Sequence, residues 1–140
     1  LDSYELARSN VRQAEDRLTT ARIALERGNY PYAVRQAQEC VELSLKACLR
    51  LVGIEPPKWH DVGPIIRRER ENFPEWFKEH VERIVSISRS LRKERELAMY
   101  GDEESKIPPE ELYTRFDAEK AIEDAGFVLE IARRLLREFA

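Results

Sequence analysis

Glycine is scarce in this sequence, at 5 of 140 residues, and so are cysteine, with 2, and the side-chain amides, with 3 Asn and 3 Gln. Two cysteines, Cys40 and Cys48, cannot build a disulfide framework, and their spacing is not that of a metal-binding pair. No apolar run approaches the roughly 18 residues of a membrane-spanning helix, and no secretory leader is read, so a cytoplasmic protein is expected. The sequence opens on Leu1, and its native start is expected to have been trimmed. An excess of positive charge is also missing. The 24 basic side chains are outnumbered by 27 acidic ones, for a net charge of −3. A general polyanion binder is ordinarily basic, so attraction of the whole molecule to nucleic acid is not indicated, although a local patch remains open. Enzyme signatures are absent too: there is no G-x-G-x-x-G, P-loop, G-x-S-x-G or H-E-x-x-H, and the two histidines, His60 and His80, stand in separate segments.

What is present is helix-forming. Ala, Leu, Glu and Arg dominate, and 42% of the residues are hydrophobic, enough in 140 residues for one core and one domain spanning 1–140. The 18 Arg against 6 Lys, with few thermolabile amides, fit a thermophilic source.

Apolar spacing predicts five helices and no strand. The first runs from Ser3 to Arg27 on the stripe Tyr4, Ala7, Val11, Ala14, Leu18, Ala21, Leu25. Gly28 supplies a left-handed C-cap position, Asn29 an N-cap, and Pro31 sits in the next first turn, where a missing N–H costs little. The second helix, Tyr30 to Val52, is apolar over most of its girth and leaves only the strip Arg35, Glu39, Glu42, Lys46, Arg50, so it is expected at the centre of the molecule. Asp61 is read as the N-cap of a short third helix, Val62 to Glu71. Asn72 with Glu75 resembles a capping box for a fourth helix reaching Tyr100 with Phe77, Val81, Ile84, Leu91 and Ala98 inward. An acidic loop, Gly101 to Arg115, precedes a fifth helix capped by Asp117 and running to Phe139, with Ala121, Ala125, Val128, Ala132, Leu135 and Phe139 facing inward. Four long helices and one short one, joined by short loops, make an all-α antiparallel bundle.

The chemistry is expected at the end of the fourth helix. Its stripe through Phe77, Val81, Ile84, Ser88 and Leu91 reaches Arg95 before Ala98, which places a guanidinium at the core-facing seam. An unpartnered buried cation is costly, so Arg95 must reach solvent, pair with a carboxylate (Glu96 and Asp102 are nearby) or line a cleft. A fixed guanidinium fork suits phosphate oxygens. The basic runs Arg67-Arg68-Glu69-Arg70 and Arg89-Ser90-Leu91-Arg92-Lys93-Glu94-Arg95 read as solvated helix faces unless both flank one groove. Cys40 and Cys48 read as core. Trp59-His60-Asp61 reads as a corner in which His60 bonds locally or packs on Trp59.

The segment Gly28-Asn29-Tyr30-Pro31-Tyr32-Ala33-Val34-Arg35-Gln36-Ala37-Gln38-Glu39, continued by Val41 to Ala47, Gly53, Pro57 and His60-Asp61-Val62, and then Arg92 to Asp102, resembles the HEPN domain family along essentially the whole chain. The resemblance implies a four-to-five-helix bundle, commonly homodimeric, with a ribonuclease or nucleotide-binding role. Some members are toxins paired with a minimal nucleotidyltransferase. The catalytic signature of such ribonucleases is Arg, a polar residue and, a few positions on, His, often followed by Tyr, with two motifs meeting across a dimer cleft and no metal required. Arg95 and Glu96 match the first two positions, but Tyr100, Gly101 and Asp102 stand where the histidine should fall. A tyrosine is a poor acid or base near neutrality without a large pKa shift.

The expectation is therefore a non-catalytic homodimer that binds a nucleotide or polynucleotide phosphate, or a minimal nucleotidyltransferase partner, through Arg92, Arg95, Glu96 and Tyr100, with no metal or cofactor. The alternatives are a metal-independent, toxin-like ribonuclease using Arg95, Tyr100 and His60, and an interaction module with no small-molecule ligand.

Overall fold

The computed structural model describes residues 2–58 and 61–140; Trp59 and His60, and with them the expected packing and role of His60, lie outside the described residues. The chain folds as an all-α bundle of four long helices: α1 (Ser3–Glu26), α2 (Tyr30–Leu51), α5 (Val81–Tyr100) and α7 (Arg115–Glu138). Three short helices, α3 (Gly63–Arg68), α4 (Glu75–Lys78) and α6 (Pro109–Leu112), and a 3₁₀ turn at Arg70–Asn72 fill the connections. Among the described residues no helix is long and apolar enough to cross a membrane.

Local chemistry sets the helix ends. Asp2 accepts from the Glu5 N–H at 2.8 Å and starts α1. Gly28 takes the left-handed conformation, φ 77°, that the sharp reversal into α2 requires, and Asn29 then caps α2 by accepting from the Tyr32 N–H. α2 packs against α1, α7 and α5. Its Ala33, Ala37, Cys40, Leu45, Ala47, Cys48 and Leu49 are fully buried, as a helix apolar on nearly every side must be. Small residues on α1, including Ala7, Ala14 and Ala21, are likewise buried to 0% exposure and let the two backbones approach closely.

The structure corrects several details of the predicted bundle. The fourth helix does not start at Asn72. Asn72 lies in the 3₁₀ turn and donates to Glu69, while Glu75 pairs with Lys78, so no capping box forms. The chain instead turns at Glu79 and His80 between α4 and α5. That turn brings an aromatic knot inward: Phe77 is fully buried and stacked on Phe73 at 4.0 Å, and Trp76 meets Phe77 edge-on while donating to Glu138 at the end of α7. The acidic loop is not wholly irregular, because Asp102 and Ile107 exchange two backbone hydrogen bonds and α6 follows. The cap of the last helix is Thr114, and Asp117, three residues on, is its reciprocal partner in a capping box. Finally, Phe139 lies past the end of α7 and is half exposed rather than inward. Asp61 is not the N-cap of the short third helix, which runs from Gly63 to Arg68 rather than to Glu71 and whose cap, Val62, makes no side-chain bond. The Asp61 carboxylate instead accepts from the Gly63 N–H at 3.1 Å and from Ser88 Oγ at 2.9 Å, which ties the start of α3 to the middle of α5.

Candidate functional site

The last two turns of α5 carry Arg92, Arg95, Glu96, Met99 and Tyr100. Their offsets of three, four, seven and eight residues put all five on one helix face. That face is turned toward α2 and toward the segment following α2, and with Glu42 and Lys58 it lines an open cleft of about 440 Å³. Every residue expected to hold phosphate, Arg92, Arg95, Glu96 and Tyr100, is thus gathered in one place. The cleft contains three cations and two carboxylates, so positive charge is in excess by one.

The arginines are held from α2. Arg95 Nη1 donates to Gln38 Oε1 at 2.6 Å and stands 4.0 Å from Glu39 Oε2. Neither Glu96 nor Asp102, the neighbours expected to neutralise it, pairs with Arg95. Gln38 is buried to 4% exposure and its amide nitrogen donates to Glu42, which also receives Arg92 at 3.5 Å. Glu39 is itself engaged by Arg17 of α1 at 3.0 Å and by Gln36. A single polar chain, Arg17–Glu39–Arg95–Gln38–Glu42–Arg92, therefore crosses three helices. It fixes Arg95 by a short bond to a neutral amide and a longer contact with the Glu39 carboxylate, which Arg17 also engages. The Arg92–Glu42 contact is long and part-exposed, a geometry worth only about 0–1 kcal/mol. An incoming phosphate can displace it at little cost, and bidentate guanidinium–phosphate bonds are the stronger pairing.

Tyr100 ends α5 and is 57% exposed at the cleft mouth. The chain turns away immediately after it because Gly101 adopts φ 75°, with its N–H bonded to the Leu97 carbonyl. α6 is fastened behind this end by Tyr113, whose hydroxyl donates to Glu94 Oε2 at 2.6 Å. Burial, together with the carboxylate it faces, raises the phenol's pKa well above its ordinary value.

The basic run Arg67-Arg68-Glu69-Arg70 does not line the cleft. Arg67 is instead spent in a two-pronged pair with Glu82, at 3.0 and 3.1 Å. Cys40 and Cys48 are free, fully buried thiols, and burial pushes both up to about 12, which makes them core residues and poor nucleophiles. Among the described residues no three His, Cys, Asp or Glu side chains gather as a metal site. Sequence reasoning missed Gln38, Glu39, Glu42, Lys58 and Met99 as parts of the site. Met99 was recoverable from the spacing of the α5 face. Lys58 and the α2 residues carried no signal, since only the packing of α2 on α5 brings them there.

Three comparisons bear on this arrangement. Residues 7–135 match the HEPN domain family. The candidate toxin MJ1304 of Methanocaldococcus jannaschii is 33% identical over 142 aligned positions, covering 97% of this chain and 91% of its own. The crystal structure of TT1696 from Thermus thermophilus superposes with a TM-score of 0.73 at 26% identity, over 92% of this chain and 97% of that one. With a helical bundle centred on α2, an arginine-bearing cleft at the end of α5, and a family match over nearly its full length, this chain belongs to the HEPN domain family.

Proposed function

We propose that this HEPN protein binds a phosphate-bearing ligand, a nucleotide or a stretch of polynucleotide, in the α2–α5 cleft without cleaving it. It would do so as a homodimer, the alternative to such a ligand being a minimal nucleotidyltransferase partner. The observation that carries this reading is the convergence of Arg92, Arg95 and Lys58 on one cleft beside the exposed Tyr100. Guanidinium forks take phosphate oxygens, and a tyrosine ring at the mouth offers a face for a base to stack on. Exposed Leu97, Tyr100 and Phe116 at the end of the bundle where α5 stops and α7 starts support a dimer, closed two-fold dimers being the commonest oligomers.

The test is calorimetric titration with nucleoside mono- and triphosphates at low and physiological salt, on wild type and Arg95→Ala. The substitution should weaken binding about tenfold or more, in line with roughly 1.5–3 kcal/mol for a hydrogen bond to a charged group, and salt should weaken the wild type. Equal affinity in the two proteins sinks the assignment of this cleft. Binding by neither leaves the interaction module as the better reading. Light scattering at micromolar concentration checks the dimer, and a monomer mass rejects it.

A metal-independent ribonuclease is the second reading. It is favoured by Arg95 and Tyr100 sharing one cleft and by a relative named as a candidate toxin. Cleavage of RNA in the presence of a chelator that persists through purification, and that disappears in Arg95→Ala and in Tyr100→Phe or His60→Ala, would replace the first reading with this one.

A further inference from the structure

A second arginine cluster lies where α1 and α7 run antiparallel, and it shares no residue with the α2–α5 cleft. Arg8, Val11, Arg12 and Glu15 of α1 face Arg133, Leu136 and Arg137 of α7 across an open groove of about 300 Å³. The spacing explains the arrangement. Residues 8, 11, 12 and 15, and 133, 136 and 137, follow the three-four rhythm of a single face on each helix, and Val11 is the buried seam between them.

The four guanidiniums are not equivalent. Arg133 is anchored by Glu15, at 2.7 and 2.9 Å, and by Glu130. Arg8, Arg12 and Arg137 form no ion pair among the described residues, and all three are exposed. Elsewhere in this chain some cations are matched with carboxylates, as in Arg17–Glu39, Arg67–Glu82 and Lys78 with Glu71 and Glu75, and others are not. What sets the groove apart is that its open forks face one another from two helices. In this groove three forks are left open on both walls while the fourth is fixed at its centre. In a protein whose overall charge is −3, such a focus of uncompensated positive charge is a local departure from the average field.

We infer that the α1–α7 groove is a sequence-independent docking track for the phosphodiester backbone of a nucleic-acid strand, separate from the α2–α5 cleft. Guanidiniums one helical turn apart on each wall can take successive phosphates by paired N–H···O contacts. The groove's lining holds no aromatic ring for a base to stack on, and contacts made to phosphates alone position a strand without carrying sequence information. An acidic protein segment is the poorer fit. Protein partners draw most of their affinity from apolar or aromatic anchors in desolvated pockets; Val11 is only 4% exposed, and Leu136 is the remaining apolar wall.

The experiment is fluorescence anisotropy with a short labelled oligouridylate and the matching oligothymidylate, titrated over a range of salt concentrations. The proteins are wild type, Arg8→Ala/Arg12→Ala/Arg137→Ala, the corresponding triple Lys variant, and Arg92→Ala/Arg95→Ala. The three groove positions are exposed, and circular dichroism melts check that every variant stays folded. Removing three phosphate contacts should weaken both strands about tenfold or more and lower the slope of log affinity against log salt by about two. The Lys variant, which keeps the charge, should retain most of the slope. The inference is overturned if the triple Ala variant matches wild type in affinity and slope, or if wild type binds neither strand. It is also overturned if the loss appears only in Arg92→Ala/Arg95→Ala, or if the groove substitutions abolish binding of polyglutamate but leave the oligonucleotides untouched. Mononucleotide titration of the same triple Ala variant reads the α2–α5 cleft independently, so failure of one site does not decide the other.

Discussion

At the scale of single residues, the environment of a side chain decides its role more than its type does. Gln38 and Ser44 are both polar residues buried on α2. Gln38 is bonded at both ends of its amide, accepting from Arg95 and donating to Glu42, so its burial is compensated. Ser44 is fully buried, and its Oγ meets no oxygen or nitrogen partner among the described residues, its polar neighbour being the weakly bonding Cys40 thiol one turn earlier. An orphaned buried hydroxyl carries a desolvation penalty of about 1–3 kcal/mol, and replacing it with an apolar group of similar shape relieves that penalty. Ser44→Ala is therefore expected to be neutral or to stabilise by up to about 1 kcal/mol, read as an unchanged or raised midpoint in urea unfolding. Leu45, the next residue, is the opposite case. It is fully buried in the core, and Leu45→Ala should cost about 2–5 kcal/mol in the same measurement.

At the scale of elements, the decisive features are helix ends. α5 presents its functional face only because it stops at Tyr100 and the chain leaves through Gly101. A Cβ on Gly101 would come within 2.2 Å of the Ile107 carbonyl oxygen, and its φ of 75° disfavours any L side chain. Gly101→Ala must open the Asp102–Ile107 bridge or unwind the last turn of α5. It should lower the melting temperature by several degrees, corresponding to about 1–3 kcal/mol, and weaken nucleotide binding at the cleft mouth. A variant that melts and binds like wild type would show that this turn does not govern Tyr100. Thr114 provides a milder control at the start of α7. Thr114→Ala removes one half of a capping box and should cost about 0.5–2 kcal/mol while leaving nucleotide affinity unchanged, since Thr114 is not among the cleft's lining residues.

At the scale of the whole molecule, α2 is the axis on which α1, α5 and α7 are assembled, and its two thiols report on the integrity of that core. Burial raises both Cys40 and Cys48 from an ordinary value of 9.0 to about 12. The unfolded chain sheds these protons near pH 9, while the folded chain keeps them until about pH 12. Between those limits the native state binds more protons than the unfolded state, so stability falls as pH rises. It is fully present below about pH 9 and is lost toward about pH 12 at roughly 1 kcal/mol per thiol per pH unit. The melting temperature should decline across this alkaline window, and Cys40→Ala/Cys48→Ala, although less stable near neutral pH, should show a flatter decline. In the native protein at about pH 8 both thiols should resist a thiol-specific reagent and react only on unfolding.

Local pattern was enough to determine the helical class, the four long elements and the central position of α2. An apolar stripe on most sides of a 22-residue helix has no stable solution except burial among neighbours, and Gly28, Asn29 and Pro31 fix that helix's start through their own backbone chemistry. Pattern also singled out Arg95, because a cation on an apolar seam is costly wherever the seam leads. It could not supply Arg95's partners. Gln38, Glu39 and Glu42 are far from Arg92 and Arg95 in sequence and meet them only through the packing of α2 on α5. The break between α4 and α5 was hidden for the same reason: the Phe73–Phe77 stack and the Trp76–Glu138 bond pull the chain inward, overriding a helical rhythm that runs unbroken through the sequence. The groove between α1 and α7 is likewise a tertiary product. Arg8 and Arg12 are ordinary surface arginines on α1 alone, and they become one wall of a charged track only when Arg133 and Arg137 arrive opposite them from the far end of the chain.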